Sequence, residues 1–159
     1  MGRRHLSRGA LAALGLALAL VPSGGAATQL RWRLIASGAA AAQATAPMDG
    51  HAALTKRAAK PIAARLPAAA AARLAKVDFA RKAVLGVFGR FGCKDGLISV
   101  VGVERTGPDF VVRLRQRPPP PGTAQCQAIF ETFRLLTVDK SSLRRPYPTK
   151  LVVTLDVRS

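Results

Sequence analysis

The chain has 159 residues, with 25 Lys and Arg against 8 Asp and Glu and a formal net charge of +17. That length suits one domain, and so positive a field favours anionic partners. One Trp, one Tyr and six Phe are too few for a base-stacking platform, so no nucleic-acid partner is expected.

Residues 1–27 read as a secretory signal. The n-region carries Arg3, Arg4 and Arg8, and Gly9 to Val21 is a run of 13 apolar residues. Pro22 to Gly25 break the helix, and Gly25, Ala26 and Ala27 supply small residues for cleavage. The run is too short to span a bilayer, and no later run reaches membrane-spanning length. The remainder, 28–159, is expected to be a single domain without a transmembrane segment, secreted or held in the cell envelope. All eight acids lie in it together with 22 of the cations, which leaves a net +14.

Residues 30–36 alternate as a strand, with Leu30, Trp32 and Leu34 on one side. Residues 37–60 are small and low in complexity and read as a loop, with a poor helix as the other reading of 52–60. Between Pro61 and Val77 the apolar residues Ile62, Leu66, Ala70 and Leu74 recur every four positions, while Pro67 interrupts. The expectation is one short helix from Pro67 to Ala75, proline in its first turn, with the apolar stripe docked on a sheet.

Strands then dominate. In residues 83–91, Ala83, Leu85 and Val87 oppose Val84 and Phe88, which predicts a strand buried on both faces. A Gly-rich turn, GCKDG at 92–96, leads to a strand over 97–105 and a turn at 106–109. Residues 110–116 give the cleanest alternation: Phe110, Val112 and Leu114 inward, Arg113, Arg115 and Arg117 outward. The stretch RPPPPGTAQC follows at 117–126. Four prolines cannot donate to a ladder, so they end the strand; a rigid corner and a displayed polyproline ligand are the two readings. Residues 128–138 carry Phe133 and Leu135 against Arg134 and Leu136. A loop over 139–148 presents Arg144, Arg145 and Tyr147. Leu151, Val153, Leu155 and Val157 are in phase in the last strand, 150–157. About six strands with short turns and one helix predict an α+β, mainly β domain, its antiparallel sheet curled into a small barrel or sandwich.

Cys93 and Cys126 are the two cysteines, and in an exported chain an even pair implies a disulfide. It would close a loop of roughly 33 residues, worth about 3–4 kcal/mol in the chain-entropy model. No ligand set calls for a metal or a cofactor. Only His5 and His51 are available as bases. Ser99, Ser141 and Ser142 fall in no Gly-x-Ser-x-Gly element, so no enzyme is expected.

The run VDFARKAVLGVFGRFGCKDGLISVVGVERTGPDFVVRLRQRPPPPG, followed by FETFRLLTV, resembles the domain named for the PrcB subunit of a bacterial protease complex. Val77-Asp78-Phe79, the turn at 92–96, the strands at 97–105 and 110–116, and Pro121-Gly122 hold the corresponding positions. The resemblance covers about three quarters of the chain beyond the leader. Where the family often has Thr-Gly-Gly-Tyr, this chain has GCKDG, which makes its cysteine a local elaboration. The resemblance implies an exported, non-catalytic accessory or binding module with a protein partner, a protease being the named candidate. The alternative is a charge-driven binder of anionic envelope polymers or a membrane surface. The expected partner surface is Arg113, Arg115 and Arg117 on the sheet, with Arg144, Arg145 and Tyr147 in the last loop.

Overall fold

The computed structural model describes residues 26–41, 48–92, 98–118 and 129–157. The leader through residue 25, the pair Cys93 and Cys126, the turn at 93–96 and the corner Pro119 to Gly122 lie outside the described residues.

Within the described residues the chain forms β1 (Thr28–Gln29), β2 (Trp32–Ala39), β3 (Met48–Ala53), α1 (Lys60–Ala63), α2 (Ala68–Ala75), β4 (Lys82–Gly92), β5 (Ile98–Thr106), β6 (Asp109–Gln116), β7 (Ile129–Asp139) and β8 (Lys150–Val157). Two four-stranded sheets result. One has the order β1-β5-β6-β8, the other β2-β7-β4-β3. They face each other as a sandwich and do not close into a barrel.

β4 and β7 explain the layering. Both are apolar on alternate residues of both faces, so each needs two hydrophobic partners. Toward the first sheet, Leu85, Val87, Leu136 and Val138 pack with Val103, Phe110, Val112, Leu114 and Leu151. Away from it, Val84, Phe88, Phe133 and Leu135 pack with Ile62, Leu66, Ala70 and Leu74. The fold is therefore three layers, sheet on sheet on helices, and the predicted four-residue stripe is the helical layer's inner face.

Several expectations change. Residues 37–60 are not one loop: β2 runs on to Ala39, β3 occupies Met48–Ala53, and α1 starts at Lys60. At Gly50 the small residue reflects close packing. A Cβ at Gly50 would lie 2.8 Å from Val153 Cγ2 and 2.9 Å from Leu151 Cγ, so only glycine lets edge strand β3 approach β8 this closely. Gly50→Ala is expected to destabilise by about 1–3 kcal/mol, partly recovered by adding Val153→Ala. Urea midpoints of the two variants check this, and an unchanged midpoint for Gly50→Ala would overturn the close approach.

The single early strand is divided between the sheets. Thr28 and Gln29 pair with Arg105 and Glu104, Leu30 N–H donates to the Val103 carbonyl at 2.9 Å, and Trp32 then opens the pairing with β7. A bulge between Leu34 and Ala36 reverses the side-chain phase of β2. It turns Ala36 under the helices, while Leu34, expected on the same side as Leu30 and Trp32, is left 43% exposed. There are also two helices, because Pro67 separates α1 from α2.

One strand pair departs from the antiparallel expectation: β6 and β8 are parallel, Asp109 beside Lys150 through Gln116 beside Val157. A parallel neighbour needs a crossover rather than a hairpin, and here β7 in the other sheet provides it.

Candidate functional site

α2 is five alanines with Arg73 and Leu74 before its last residue. Alanine has the highest helix propensity, and Pro67 sits at the N-cap in extended conformation (φ −63°, ψ 155°), its carbonyl accepting from Ala70 N–H at 2.9 Å. Ala70 and Leu74 are buried on the sheet. Arg73, Lys76 and the exposed end of the helix therefore face outward, at the C-terminal pole where the helix dipole favours cations.

This end of α2 overhangs one corner of the second, middle sheet. Arg33 lies opposite Thr137 in the register, and Lys82 opposite Asp139, all on the helix-facing side. Together with Leu34, Ile35, Arg73, Lys76, Val77 and Asp78 they line an open groove of about 710 Å³. Four cations stand there against one lining carboxylate. Arg73 is positioned by a 3.0 Å bond from Nη1 to the Ile35 carbonyl, which fixes its guanidinium over β2. Lys82 Nζ is 4.0 Å from Asp139 Oδ1, a loose and exposed pair that holds little of its charge. Asp78 Oδ1 accepts from Ala80 N–H at 2.9 Å, so one of its oxygens serves the turn into β4.

The charge predicted on β6 is arranged differently. Arg113 and Arg115 do face outward, on the surface of the first sheet, but each meets an acid. Arg113 Nη2 donates to Glu104 Oε2 at 2.8 Å, and Arg115 Nε lies 3.6 Å from Asp156 Oδ2. Arg117 is exposed just beyond the end of β6. Arg144, Arg145 and Tyr147 sit between a 3₁₀ turn (Lys140–Ser142) and β8. Because β8 runs parallel to β6, that loop lies beside Asp109, at the opposite end of β6 from Arg115. The two predicted sets are thus not one surface. The loop is held by Arg105, whose Nη1 donates to the Arg144 carbonyl and Nη2 to the Pro146 carbonyl (3.1 Å for the latter). The Arg145 guanidinium carbon stands 5.5 Å from the Tyr147 ring centroid.

A third cluster ties the helical layer down. Arg65, in the turn after α1, donates Nη1 to Asp49 Oδ2 at 2.5 Å and Nη2 to Glu131 Oε1 at 3.0 Å, with its guanidinium 3.8 Å from the Phe88 ring centroid. His51 Nε2 is 3.1 Å from the same Asp49 oxygen. Burial opposes ionisation of Asp49, but the Arg65 hydrogen bond and the charges of His51 and Arg65 outweigh it and hold the carboxyl below its ordinary range. With two carboxylates and an aromatic face engaged, Arg65 serves as a clamp between helix and sheet.

The cations of the α2 groove were absent from the expected partner surface. Their signal was partly present: Arg73 and Lys76 are three apart on a helix, hence on one face, and Arg33 alternates away from Trp32. What brings Arg33 and Lys82 beneath them is the strand order β2-β7-β4, which alternation does not encode. Among the described residues no helix is long and apolar enough to cross a membrane. No family model, curated protein or solved structure matches the chain.

Proposed function

We propose that this protein is an exported, non-catalytic binding module that holds an anionic cell-envelope polymer in the groove between the C-terminal turn of α2 and the corner of its sheet. The observation that carries this reading is the convergence of Arg33, Arg73, Lys76 and Lys82 on one groove, with Asp78 the single carboxylate in its lining. Elsewhere on the described surface some cations are spent on structure, as Arg65 is on Asp49 and Arg105 on the Arg144 and Pro146 carbonyls, and the exposed Lys56, Arg57, Arg81 and Lys150 stand outside this groove. Export rests on the leader. The resemblance to the PrcB-like domain supports an accessory role and implies a protease as protein partner.

A polymer bound by four cations releases counterions on binding, so its affinity falls steeply with salt. Replacing Arg33, Arg73, Lys76 and Lys82 by glutamine is expected to lower the slope of log affinity against log salt by about 3 on a soluble polyanion such as polyphosphate. A control removes the same charge from Lys56, Arg57, Arg81 and Lys150, all exposed and outside the groove. It should lose far less. Equal loss in both variants would replace the groove by a diffuse field, and salt-independent binding would remove the electrostatic reading altogether.

A further inference from the structure

The outer face of the first sheet carries a second groove, of about 680 Å³, lined by Gln29, Val101, Gly102, Arg113, Arg115 and Asp156 among others. We propose that it is a reader of single carboxylates, and that its ligand is an extended peptide segment carrying Asp or Glu.

The construction begins with Glu104, which is 3% exposed although it lies on the outward side of β5. Gln29 Nε2 donates to its Oε1 and Arg113 Nη2 donates to its Oε2. A buried carboxylate is costly unless both oxygens are occupied, and here they are. Its consequence is mechanical. Arg113 is gripped through one nitrogen while its side chain stays 56% exposed, so the remaining donors face the groove in a fixed orientation. A guanidinium ordered before the ligand arrives loses less entropy on binding a carboxylate.

Arg115 adds a second donor set two residues along the same strand. Its Nε is buried and makes no hydrogen bond, Asp156 standing beyond bonding distance at 3.6 Å. Between the two arginines and the neighbouring strand, a bulge between Val100 and Gly102 sets Gly102 opposite Arg113. A Cβ placed there would meet its first atom, Gln29 Oε1, only at 3.8 Å, so the missing side chain leaves open floor. The bulge also leaves Val101 42% exposed at the groove, an apolar contact for the residue beside the ligand's acid.

Charge spacing favours a peptide over a polyanion. The lining sets Arg113 and Arg115 against Glu104 and Asp156, so a densely charged chain meets two carboxylates, whereas one carboxylate flanked by neutral residues needs only the remaining donors of the arginines. The site is separate from the α2 groove: none of Arg33, Arg73, Lys76 or Lys82 lines it.

The test is a ¹⁵N–¹H titration with an unlabelled heptapeptide of a central glutamate between valines, beside its glutamine counterpart. The expected result is saturable shifts of the Gly102 amide and the Arg113 and Arg115 Nε–H signals, with the glutamine peptide about tenfold weaker or more. Gly102→Leu, which fills the open floor and leaves both arginines in place, should abolish the response while keeping the dispersed spectrum. Arg115→Gln, which leaves the Glu104 pair intact, should weaken it about tenfold. Equal response to both peptides, unchanged binding in Gly102→Leu, or shifts confined to Arg73, Lys76 and Lys82 would overturn the proposal. So would tighter binding of an oligogalacturonate at Gly102, which would assign the groove to a polysaccharide. None of these outcomes touches the polyphosphate result, so the two readings stand or fall separately.

Discussion

Arg65→Met is expected to lower stability by about 3 kcal/mol, read as a fall in the urea midpoint at unchanged slope. The Arg65 side chain is 16% exposed and its partners Asp49 and Glu131 are 25% and 7% exposed. That partial burial puts the loss at the low end of the range for breaking a buried pair. Methionine keeps most of the volume above Phe88, so the loss reports charge and hydrogen bonds rather than a cavity. Acid should narrow the difference. Asp49 has its carboxyl lowered in the folded state, so its contribution is present above the unfolded value of about 4 and is lost as pH falls through the lowered folded value. In the variant, burial of Asp49 continues to oppose ionisation while the compensating guanidinium is gone. Wild type and variant should therefore differ most at neutral pH and converge on acidification below about pH 4. A constant difference from pH 7 to the acid limb would show that Asp49 and Arg65 are not coupled.

How far the sequence specified this fold depends on which kind of order is asked for. Alternation located β4 through β8 to within a residue or two, because each carries apolar residues every second position, and the two-faced burial of Val84, Leu85, Val87 and Phe88 was written in the same run. β3 escaped because its residues are chosen for size: Gly50 fits against Val153 and Leu151, a requirement that comes from another sheet altogether. The bulge in β2 escaped for a similar reason, since nothing local in Leu34-Ile35-Ala36 says that the phase must reverse to place Ala36 beneath the helices. The functional surface was legible only by residue type. Outward Arg113 and Arg115 follow from the period of β6, but their pairing with Glu104 and Asp156 is a matter of which strands lie beside β6. The α2 groove likewise exists because strand order brings Arg33, 40 residues before Arg73 in sequence (73 − 33), to the same helix end as Lys82, which follows Lys76 by six (82 − 76).

Phe110→Ala and Ile62→Ala test whether the three layers are one cooperative unit. Phe110 is fully buried between the sheets and Ile62 is fully buried between the helices and β4, where its Cγ2 lies 3.0 Å from the Cβ position of Gly86. Truncation should cost about 3–5 kcal/mol at Phe110 and about 2–5 kcal/mol at Ile62. β4 and β7 supply side chains to both clusters, Leu85 and Leu136 to one and Val84 and Leu135 to the other. Loosening the helices therefore exposes one face of the strands that form the centre of the sandwich, and losing the sandwich removes the platform the helices dock on. Both variants should unfold in a single transition at the same midpoint by far-ultraviolet circular dichroism and by Trp32 fluorescence, because Trp32 packs in the inter-sheet cluster. A helix signal in Ile62→Ala that melts well before Trp32 would separate the helical layer as an independently opening unit. The α2 groove would then be a device that opens with it, since Arg73 and Lys76 keep their place over Arg33 only while α2 stays docked.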